Sequence, residues 1–306
     1  MVLVGPTACG KTEYAIAAAQ AFDGEIVNAD SMQIYQRMSI GSAKPTAAER
    51  AAAVHHLVDQ IDPKQPFSVA EYQRLAKDAI RDILSRKRLP VVSGGTGLYV
   101  NSLLYQLDFG QAEGSRALRA RLEQEAKEQG AAVLYRRLCE QDPEAASRIE
   151  EGNVRKVIRA LELLETTGES LPDFQRSFRP AEEYRPVLIG LTRNREELVA
   201  RIEARSARMF EQGLVEEVRS LLAEGLREED ISMKGIGYKE VIHYLNGAYD
   251  LAACKELVNI HSRQYAKRQM TWFKRLPGIQ WINLSEHTSK ETVIGQMRNA
   301  LYESNG

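Results

Sequence analysis

The residues best suited to chemistry lie at the start of the chain, in a glycine-rich run that ends in a lysine and a threonine. Residues 5–12 read GPTACGKT and follow a short apolar run at residues 2–4. The spacing matches G-x-x-x-x-G-K-[ST], in which backbone N–H groups and the N-terminus of the next helix surround a phosphate group. The pattern predicts a polyphosphate site in which the Thr12 hydroxyl binds Mg²⁺. Its residues are Gly5, Pro6, Thr7, Ala8, Cys9, Gly10, Lys11 and Thr12.

This phosphate loop does not specify which group is transferred. A small-molecule kinase would move the terminal phosphoryl group of a nucleotide, whereas a transferase of another kind would hold a diphosphate leaving group in the same loop. A third alternative is a non-catalytic RNA-binding module with a vestigial loop, and the intact Lys11 and Thr12 argue against it. Cys9 is interpreted as a small residue, because no histidine near it in the sequence offers a partner base.

A carboxylate follows the second predicted strand, and a glycine turn follows the third. Asp30 comes directly after residues 25–29, and the sequence SGGTGLY at residues 93–99 ends the strand predicted at residues 89–93. Ligands of open α/β sheets bind outside the carboxyl ends of the strands, so we expect both ends and the phosphate loop to meet at one crevice. An isolated aspartate after a strand is more often a turn or cap residue, but the polar and aromatic segment that follows favours a catalytic role for Asp30.

Alternating strands and helices must position these residues. Residues 67–88 carry apolar side chains at helical spacing, and Ser68 and Glu71 at their start form the signature of a capping box. Strand–helix–strand repeats of this kind indicate a parallel sheet. Further strands are predicted at residues 185–191 and 279–284, with a long helix from about residue 194 between them.

A stretch without strand patterns interrupts this sheet region. It runs from residue 109 to 183 and is charged and helical in period, as at residues 115–129 and 153–166. We therefore predict an α/β fold: a P-loop NTPase-like parallel sheet flanked by helices, with an all-helical insert domain. Residues 1–108 and 184–306 would form a discontinuous core, and residues 109–183 the insert.

The charge balance excludes a chain that is basic throughout. Lys and Arg total 41 and Asp and Glu total 42 in 306 residues, a formal net charge of −1. Residues 257–285 contain no Asp or Glu, while lysines and arginines alternate there with aromatic residues. This pattern fits a contact with single-stranded nucleic acid as well as a solvated helix face. Any RNA binding is therefore expected to be local.

Cysteine usage and hydropathy indicate the cellular compartment of the protein. Three cysteines without a disulfide or zinc pattern favour a reducing compartment, and we expect a cytoplasmic monomer with no implied protein partner. The apolar runs are too short to cross a bilayer, so no membrane partner is expected. Only four residues precede Gly5, which leads us to expect that a few N-terminal residues are missing.

Six motifs, in this order, closely resemble the tRNA dimethylallyltransferase family, also called tRNA isopentenylpyrophosphate transferases. They are GPTACGKT, DSMQIY, GSAKPT, GGTGLY, KGIGYKE and RQYAKRQMTWFK, and the resemblance extends over nearly the whole chain. It implies transfer of the dimethylallyl group from dimethylallyl diphosphate to N6 of the adenosine 3′-adjacent to the anticodon, with Mg²⁺ as cofactor. The partners would be a tRNA anticodon stem-loop and dimethylallyl diphosphate. The C-terminal zinc finger of eukaryotic members has no counterpart here, which fits the bacterial type.

The resemblance also implies roles for particular residues. The phosphate loop would hold the diphosphate, Asp30 would accept the N6 proton, and Arg205 would lie at the leaving diphosphate. The expected catalytic residues are Asp30, Thr96 and Arg205. A flipped adenine would be surrounded by Asp30, Ser31, Met32, Gln33 and Thr96. Further tRNA contacts are expected at Arg119, Arg155, Lys156 and Arg159 in the insert, and at Lys234, Gly235, Ile236, Gly237, Tyr238 and Lys239. Two departures from the family pattern are Cys9, where serine or valine is common, and Arg155–Lys156 in place of a Gln–Arg pair.

Overall fold

A six-stranded sheet forms the centre of the structure, a computed structural model that describes residues 1–107, 115–171, 179–287 and 289–303. All strand pairs are parallel, and the strand order is β3-β2-β4-β1-β5-β6. The strands are β1 (Val2–Val4), β2 (Gly24–Asn28), β3 (His55–His56), β4 (Leu89–Gly94), β5 (Leu188–Thr192) and β6 (Gln280–Asn283). The P-loop NTPase-like sheet predicted from the sequence is therefore confirmed.

Helices connect and cover these strands. In chain order they are α1 (Lys11–Ala21), α2 (Ala47–Ala52), α3 (Val69–Ser85), α4 (Gly97–Leu104), α5 (Ser115–Gln129), α6 (Ala131–Gln141), α7 (Pro143–Ser147), α8 (Val154–Thr167), α9 (Arg195–Glu211), α10 (Leu214–Ala223), α11 (Tyr238–Leu245), α12 (Leu251–Phe273) and α13 (Lys290–Glu303). Within the described ranges, no helix combines the length and apolar composition that crossing a membrane requires.

Local sequence explains where several elements begin. The Ser68 hydroxyl accepts from the backbone N–H of Glu71, and the Glu71 carboxylate accepts from the backbone N–H of Ser68, which is the capping box predicted at the start of α3. Strand β5 begins at Leu188 rather than at the predicted residue 185. Pro186 has no N–H to donate to β1, and the first bond there runs from Val2 N to Val187 O at 2.8 Å.

Apolar side chains fix the sheet between two helical layers. On one face, Leu3, Val91 and Ile189 pack in a buried cluster with α1 and α13. On the other face, the buried side of α3 packs against β2 and β4, and the ring of Tyr72 stacks on that of Tyr99 of α4 with centroids 3.9 Å apart. Side chains of successive strand residues point to opposite faces, so short strands buried on both faces read as unbroken apolar runs in the sequence.

The chain forms two compact units. One comprises Met1–Leu104 with Ala181–Gly306, and the other comprises Tyr105–Pro180. We predicted breaks after residues 108 and 183; the first of these positions lies outside the described residues. The second unit has its own core of leucines, valines and isoleucines from α5, α6 and α8, among them Leu122, Leu134 and Leu161.

Each unit is closed where the chain passes between them. In the sheet unit, Ala181 N donates to Leu104 O at 2.8 Å. In the helical unit, Gln106 N donates to Arg179 O at 2.9 Å, beside an antiparallel bridge between Tyr105 and Pro180. The departing and returning chain segments therefore run side by side.

Candidate active site

The phosphate loop joins β1 to α1, as its sequence predicts. Gly5 must be glycine because a Cβ there would lie 2.3 Å from the backbone oxygen of Leu191. Gly10 caps α1 with a φ of 113°, a left-handed conformation that glycine adopts without strain. The Lys11 ammonium donates to Gly5 O at 3.0 Å and to Pro6 O at 2.8 Å. Burial lowers the pKa of Lys11.

Two arginines hold the loop from outside. Arg193 Nε donates to Cys9 O at 2.8 Å, and Arg201 Nε of α9 donates to Ala8 O at 2.9 Å. A carbonyl held by a guanidinium is fixed in direction, so these bonds restrict how the neighbouring peptide N–H groups can turn. No sequence pattern selects Arg193 or Arg201, because they lie almost two hundred residues after the loop.

Arg205 lies one helical turn beyond Arg201 and reaches the same loop. Its Nη1 donates to Thr7 Oγ1 at 3.2 Å, and its Nη2 donates to Ser42 O at 3.5 Å. Burial lowers the pKa of the Arg205 guanidinium, and nearby Asp30 opposes that shift. The side chain still carries a full charge at neutral pH, because arginine is protonated throughout the physiological range.

Asp30 and Thr96 follow neighbouring strands, β2 and β4. Asp30 Oδ1 accepts from Met32 N at 2.8 Å and from Gln33 N at 3.3 Å, an Asx turn that fixes the carboxylate at the strand end. Thr96 Oγ1 accepts from Ser31 N at 3.0 Å and donates to Ser31 Oγ at 3.3 Å. The hydroxyl of Thr96 therefore ties the turn after β4 to the segment that carries Asp30.

Gln269 of α12 bridges the phosphate loop and the glycine turn. Its Oε1 accepts from Thr7 N at 2.7 Å, and its Nε2 donates to Gly95 O at 3.0 Å. A Cβ at Gly95 would lie 2.3 Å from Gln269 Nε2, so the glycine leaves room for this amide. Tyr265, one turn earlier, donates to the same Gly95 O at 3.4 Å. Burial raises the pKa of Tyr265, and Asp30 adds to the shift.

A cavity of about 280 Å³ lies at the carboxyl ends of β1 and β2, and some of these groups border it. Thr7 and Ala8 of the phosphate loop lie on its wall, as do Asp30 and Arg205. The remaining lining residues are Ser31, Met32, Gly41, Ser42, Ile202, Ser206, Met209, Lys234, Gly235, Ile236, Val258, Ser262, Tyr265 and Arg268. The wall therefore combines cations, one carboxylate, hydroxyls and an apolar portion, a composition suited to a ligand with a charged end and an apolar body.

The predicted KGIGYKE contacts divide into three groups. Gly235 and Ile236 line the cavity, and a Cβ at Gly235 would lie 2.9 Å from Met32 Sδ. Lys234 and Lys239 are exposed, and Lys234 also lines the cavity. Gly237 and Tyr238 are buried, and an RNA contact at either residue stays a prediction.

Gln33 has a role inside the protein as well. Its Nε2 donates to Ser42 O at 3.3 Å and to Ala43 O at 3.1 Å, which ties the segment after Asp30 to the GSAKPT motif. Lys44 of that motif is buried and donates to Asp59 Oδ1 at 2.7 Å. The motif therefore serves to hold chain segments together.

The basic residues predicted in the helical unit fall into two pairs. Arg119 and Arg159 both donate to Glu162 Oε2, at 2.6 and 2.9 Å, and Glu162 is fully buried. The arginine side chains are partly exposed, but removing either would take a cation from a fully buried carboxylate, so we expect both to stabilise the unit whatever else they contact. Arg155 and Lys156 are exposed in the first turn of α8.

Sequence reasoning missed Gln269 and Tyr265 as parts of the site. Both lie in the acid-free stretch at residues 257–285, but the sequence alone does not show which of its polar residues is buried and therefore needs a partner. The residues of this stretch have different roles: Arg263 forms ion pairs with Glu203 and Glu256, while Tyr265 lines the cavity.

The parallel sheet, the glycine loop after β1 and the cavity at its carboxyl edge define a P-loop NTPase-like α/β protein. Comparison with known proteins narrows this class. The profile of the IPP transferase family matches residues 33–276, and the chain belongs to this family.

Curated relatives and solved structures agree with that assignment. The chain is 48% identical over 293 residues to the tRNA dimethylallyltransferase of Alkaliphilus oremlandii, covering 96% of this chain and 94% of the relative. Among solved structures, the chain matches the full-length tRNA isopentenylpyrophosphate transferase of Bacillus halodurans with a TM-score of 0.74 and 38% sequence identity; the match covers 99% of this chain and 97% of that one. It also matches the structure of a eukaryotic dimethylallyltransferase acting on tRNA with a TM-score of 0.85 and 26% sequence identity; this match covers 99% of this chain and 79% of that one.

Proposed function

We propose that this protein is a tRNA dimethylallyltransferase. It transfers the dimethylallyl group of dimethylallyl diphosphate to N6 of the adenosine 3′-adjacent to the anticodon and releases diphosphate. The observation that carries the proposal is one cavity bordered by the phosphate loop and Arg205 and also by the carboxylate of Asp30. Family membership and the names of the relatives favour this reaction over the kinase alternative.

The reaction requires a good leaving group and removal of a proton. An exocyclic purine amine is a weak nucleophile, so its N6–H must be taken up as the new C–N bond forms and the C–O bond to diphosphate breaks. Asp30 is our candidate for the base. Its Oδ1 already accepts two backbone N–H groups, so we assign the proton to Oδ2.

Negative charge develops on the departing diphosphate. Loop N–H groups, the Lys11 ammonium and the Arg205 guanidinium would stabilise this charge more strongly in the transition state than in the ground state. Arg205 is held by Thr7 and Ser42 at the cavity wall, so little reorganisation is needed when the charge appears. Closing the cavity around the allylic group would keep water away from a carbon with cationic character.

A divalent cation would need at least one oxygen donor from the loop. No cluster of three or more His, Cys, Asp or Glu suited to a metal occurs among the described residues. Mg²⁺, however, commonly binds through few protein oxygens together with phosphate oxygens and water. The half-buried Thr12, in the first turn of α1, would supply its hydroxyl to such an ion. When bound, the ion would neutralise part of the diphosphate charge.

The target adenine must leave its stack to reach a base inside a cavity. We propose that Ser31, Met32 and Thr96 surround the flipped base beside Asp30. The exposed cations Arg155, Lys156, Lys234 and Lys239 are our candidates for phosphate contacts elsewhere on the tRNA. We also propose a cytoplasmic location, because the substrate is a tRNA and the three cysteines are free thiols.

Nucleoside analysis tests the proposed function. The protein is incubated with Mg²⁺, an anticodon stem-loop and either dimethylallyl diphosphate or ATP, and the digested RNA is analysed by mass spectrometry. We expect a dimethylallyl adduct on the adenosine after the anticodon. A stem-loop with guanosine at that position is the matched control and should remain unmodified. Phosphoryl transfer from ATP without prenylation would refute the proposal in favour of a kinase.

A further inference from the structure

Glu217 of α10 holds a loop at the edge of the cavity. Its Oε2 accepts from the backbone N–H groups of Ser39 and Ile40, both at 2.8 Å, and its Oε1 accepts from that of Gly41 at 3.0 Å. We call residues 39–42 the 39–42 loop. A carboxylate that accepts three consecutive backbone N–H groups forms charge-assisted bonds, which fix the loop more firmly than neutral partners would.

Tyr238 holds the same loop from a second direction. Its hydroxyl donates to Glu217 Oε1 at 2.8 Å. Its ring lies against Gly41, where an added Cβ would be 2.5 Å from two ring carbons. Tyr238 is fully buried, and burial together with Glu217 raises the pKa of its hydroxyl, which therefore remains a donor at neutral pH. The GSAKPT and KGIGYKE motifs thus meet at Glu217.

The 39–42 loop in turn contacts Arg205. Ser42 O accepts from Arg205 Nη2 at 3.5 Å, and Gly41, Ser42 and Arg205 border the same cavity. The other bond of this guanidinium goes to Thr7 Oγ1 in the phosphate loop. A shift of the 39–42 loop would break one of these two hydrogen bonds, so the direction of the guanidinium depends on where the loop is held: by Glu217 and Tyr238 at residues 39–41, and by Gln33 at Ser42 O.

We propose that Glu217 and Tyr238 are positioning residues for group transfer, which hold the 39–42 loop so that Ser42 O directs Arg205 toward the leaving diphosphate. This inference rests on the proposed function. It predicts an effect on kcat rather than on tRNA affinity, because Arg205 would act where charge develops in the transition state. A role of Tyr238 in RNA binding predicts the opposite: a higher KM for tRNA with kcat unchanged.

Steady-state kinetics of Glu217→Gln and Tyr238→Phe test the inference. Misplacement of a catalytic group by about 1 Å can cost a hundredfold, so we expect kcat to fall about tenfold to a hundredfold while the KM for tRNA changes less than about twofold. The matched controls are Glu216→Gln and Tyr244→Phe, neighbours on α10 and α11 that should retain wild-type kcat. A raised KM for tRNA with normal kcat, or no change at all, would overturn the inference.

A double-mutant cycle identifies the route through Arg205. If Glu217 acts through that guanidinium, Glu217→Gln should lower kcat much less in an Arg205→Ala background than in the wild type. Full additivity of the two effects would exclude Arg205 as the intermediary. Should Glu217→Gln fail to fold, Gly41→Ala displaces the loop from the Tyr238 ring instead, and the same reduction of kcat is expected.

The activity of the wild-type enzyme distinguishes failure of the proposed function from failure of the positioning role. Absence of prenyl transfer by the wild type would refute the proposed function and the positioning role together. Normal transfer by the wild type and by all variants would refute the positioning role alone.

Discussion

Replacing Gln269 with leucine should weaken use of dimethylallyl diphosphate about a hundredfold. The substitution retains an apolar stem on α12 but removes the acceptor for Thr7 N, at 2.7 Å, and the donor to Gly95 O, at 3.0 Å. Leaving a buried polar group without its partner costs about 1–3 kcal/mol. Gly95 O would keep the longer bond from Tyr265 at 3.4 Å, whereas Thr7 N would lose its bond to Gln269, so we assign about 2 kcal/mol to Thr7 and about 1 kcal/mol to Gly95. Their sum, about 3 kcal/mol, corresponds to a factor of about one hundred in kcat/KM if the loop must be ordered in the transition state.

The assay is kcat/KM for dimethylallyl diphosphate at saturating tRNA, with thermal unfolding measured in parallel. Gln264→Leu is the matched control, because it places the same substitution at an exposed position on the same helix and should leave kcat/KM unchanged. Gln269→Glu provides a second comparison: it keeps the acceptor for Thr7 N but places a carboxylate against Gly95 O, so it should be at least as impaired as the leucine variant. A Gln269→Leu enzyme within about threefold of the wild type would refute the claim that this amide orders the phosphate loop.

Three further predictions concern catalysis, RNA binding and stability. Asp30→Asn should keep the affinity for inorganic diphosphate but lower the single-turnover rate at least about a hundredfold, as expected for removal of a general base; a normal rate would remove Asp30 from that role. Arg155→Ala combined with Lys156→Ala should weaken tRNA binding and reduce the slope of log affinity against log salt by about one for each phosphate that is no longer neutralised, with diphosphate affinity intact; an unchanged slope would exclude this part of the insert as an RNA-binding surface. Glu25, hydrogen-bonded chiefly to Arg86, has its pKa lowered from the usual 4.5 to about 2. Its contribution, of the order of 2–3 kcal/mol, is therefore present above about pH 5 and disappears as the pH falls toward 2; urea unfolding across that range should show a smaller decline for Glu25→Gln than for the wild type, and equal declines would contradict this reasoning.

Elements built from local signals could be predicted from the sequence. The capping box at Ser68 and the helical spacing behind it predicted α3, and the apolar run after residue 24 predicted β2 to within one residue at each end. Strand β3 could not be predicted, because its two residues, His55 and His56, are too few and too polar to form a strand pattern. Its place beside β2 results from tertiary pairing at Ile26 and Val27.

The candidate site divides in the same way. Asp30 was detectable because the carboxyl end of a parallel strand is a position with a known geometric meaning. Gln269 and Glu217 were not, since each forms its decisive bonds with residues more than 170 positions away in the chain. Tyr238 shows a further limit: its motif predicts a tRNA contact, whereas the burial of its ring against Gly41 is visible only in the structure.

The way in which the chain leaves and re-enters the sheet unit bears on how this protein could have changed over time. Leu104 O and Ala181 N are hydrogen-bonded to each other, and within the helical unit Gln106 N and Arg179 O are bonded likewise. The entropy lost on closing a loop grows only with the logarithm of its length. For the sheet unit, closing the chain between Leu104 and Ala181 therefore costs little more free energy than closing a short connection would. The helical unit could therefore be lengthened, trimmed or exchanged during evolution without altering the register of β5 beside β1. The same junction is the natural place to graft a different RNA-recognition module onto this catalytic sheet.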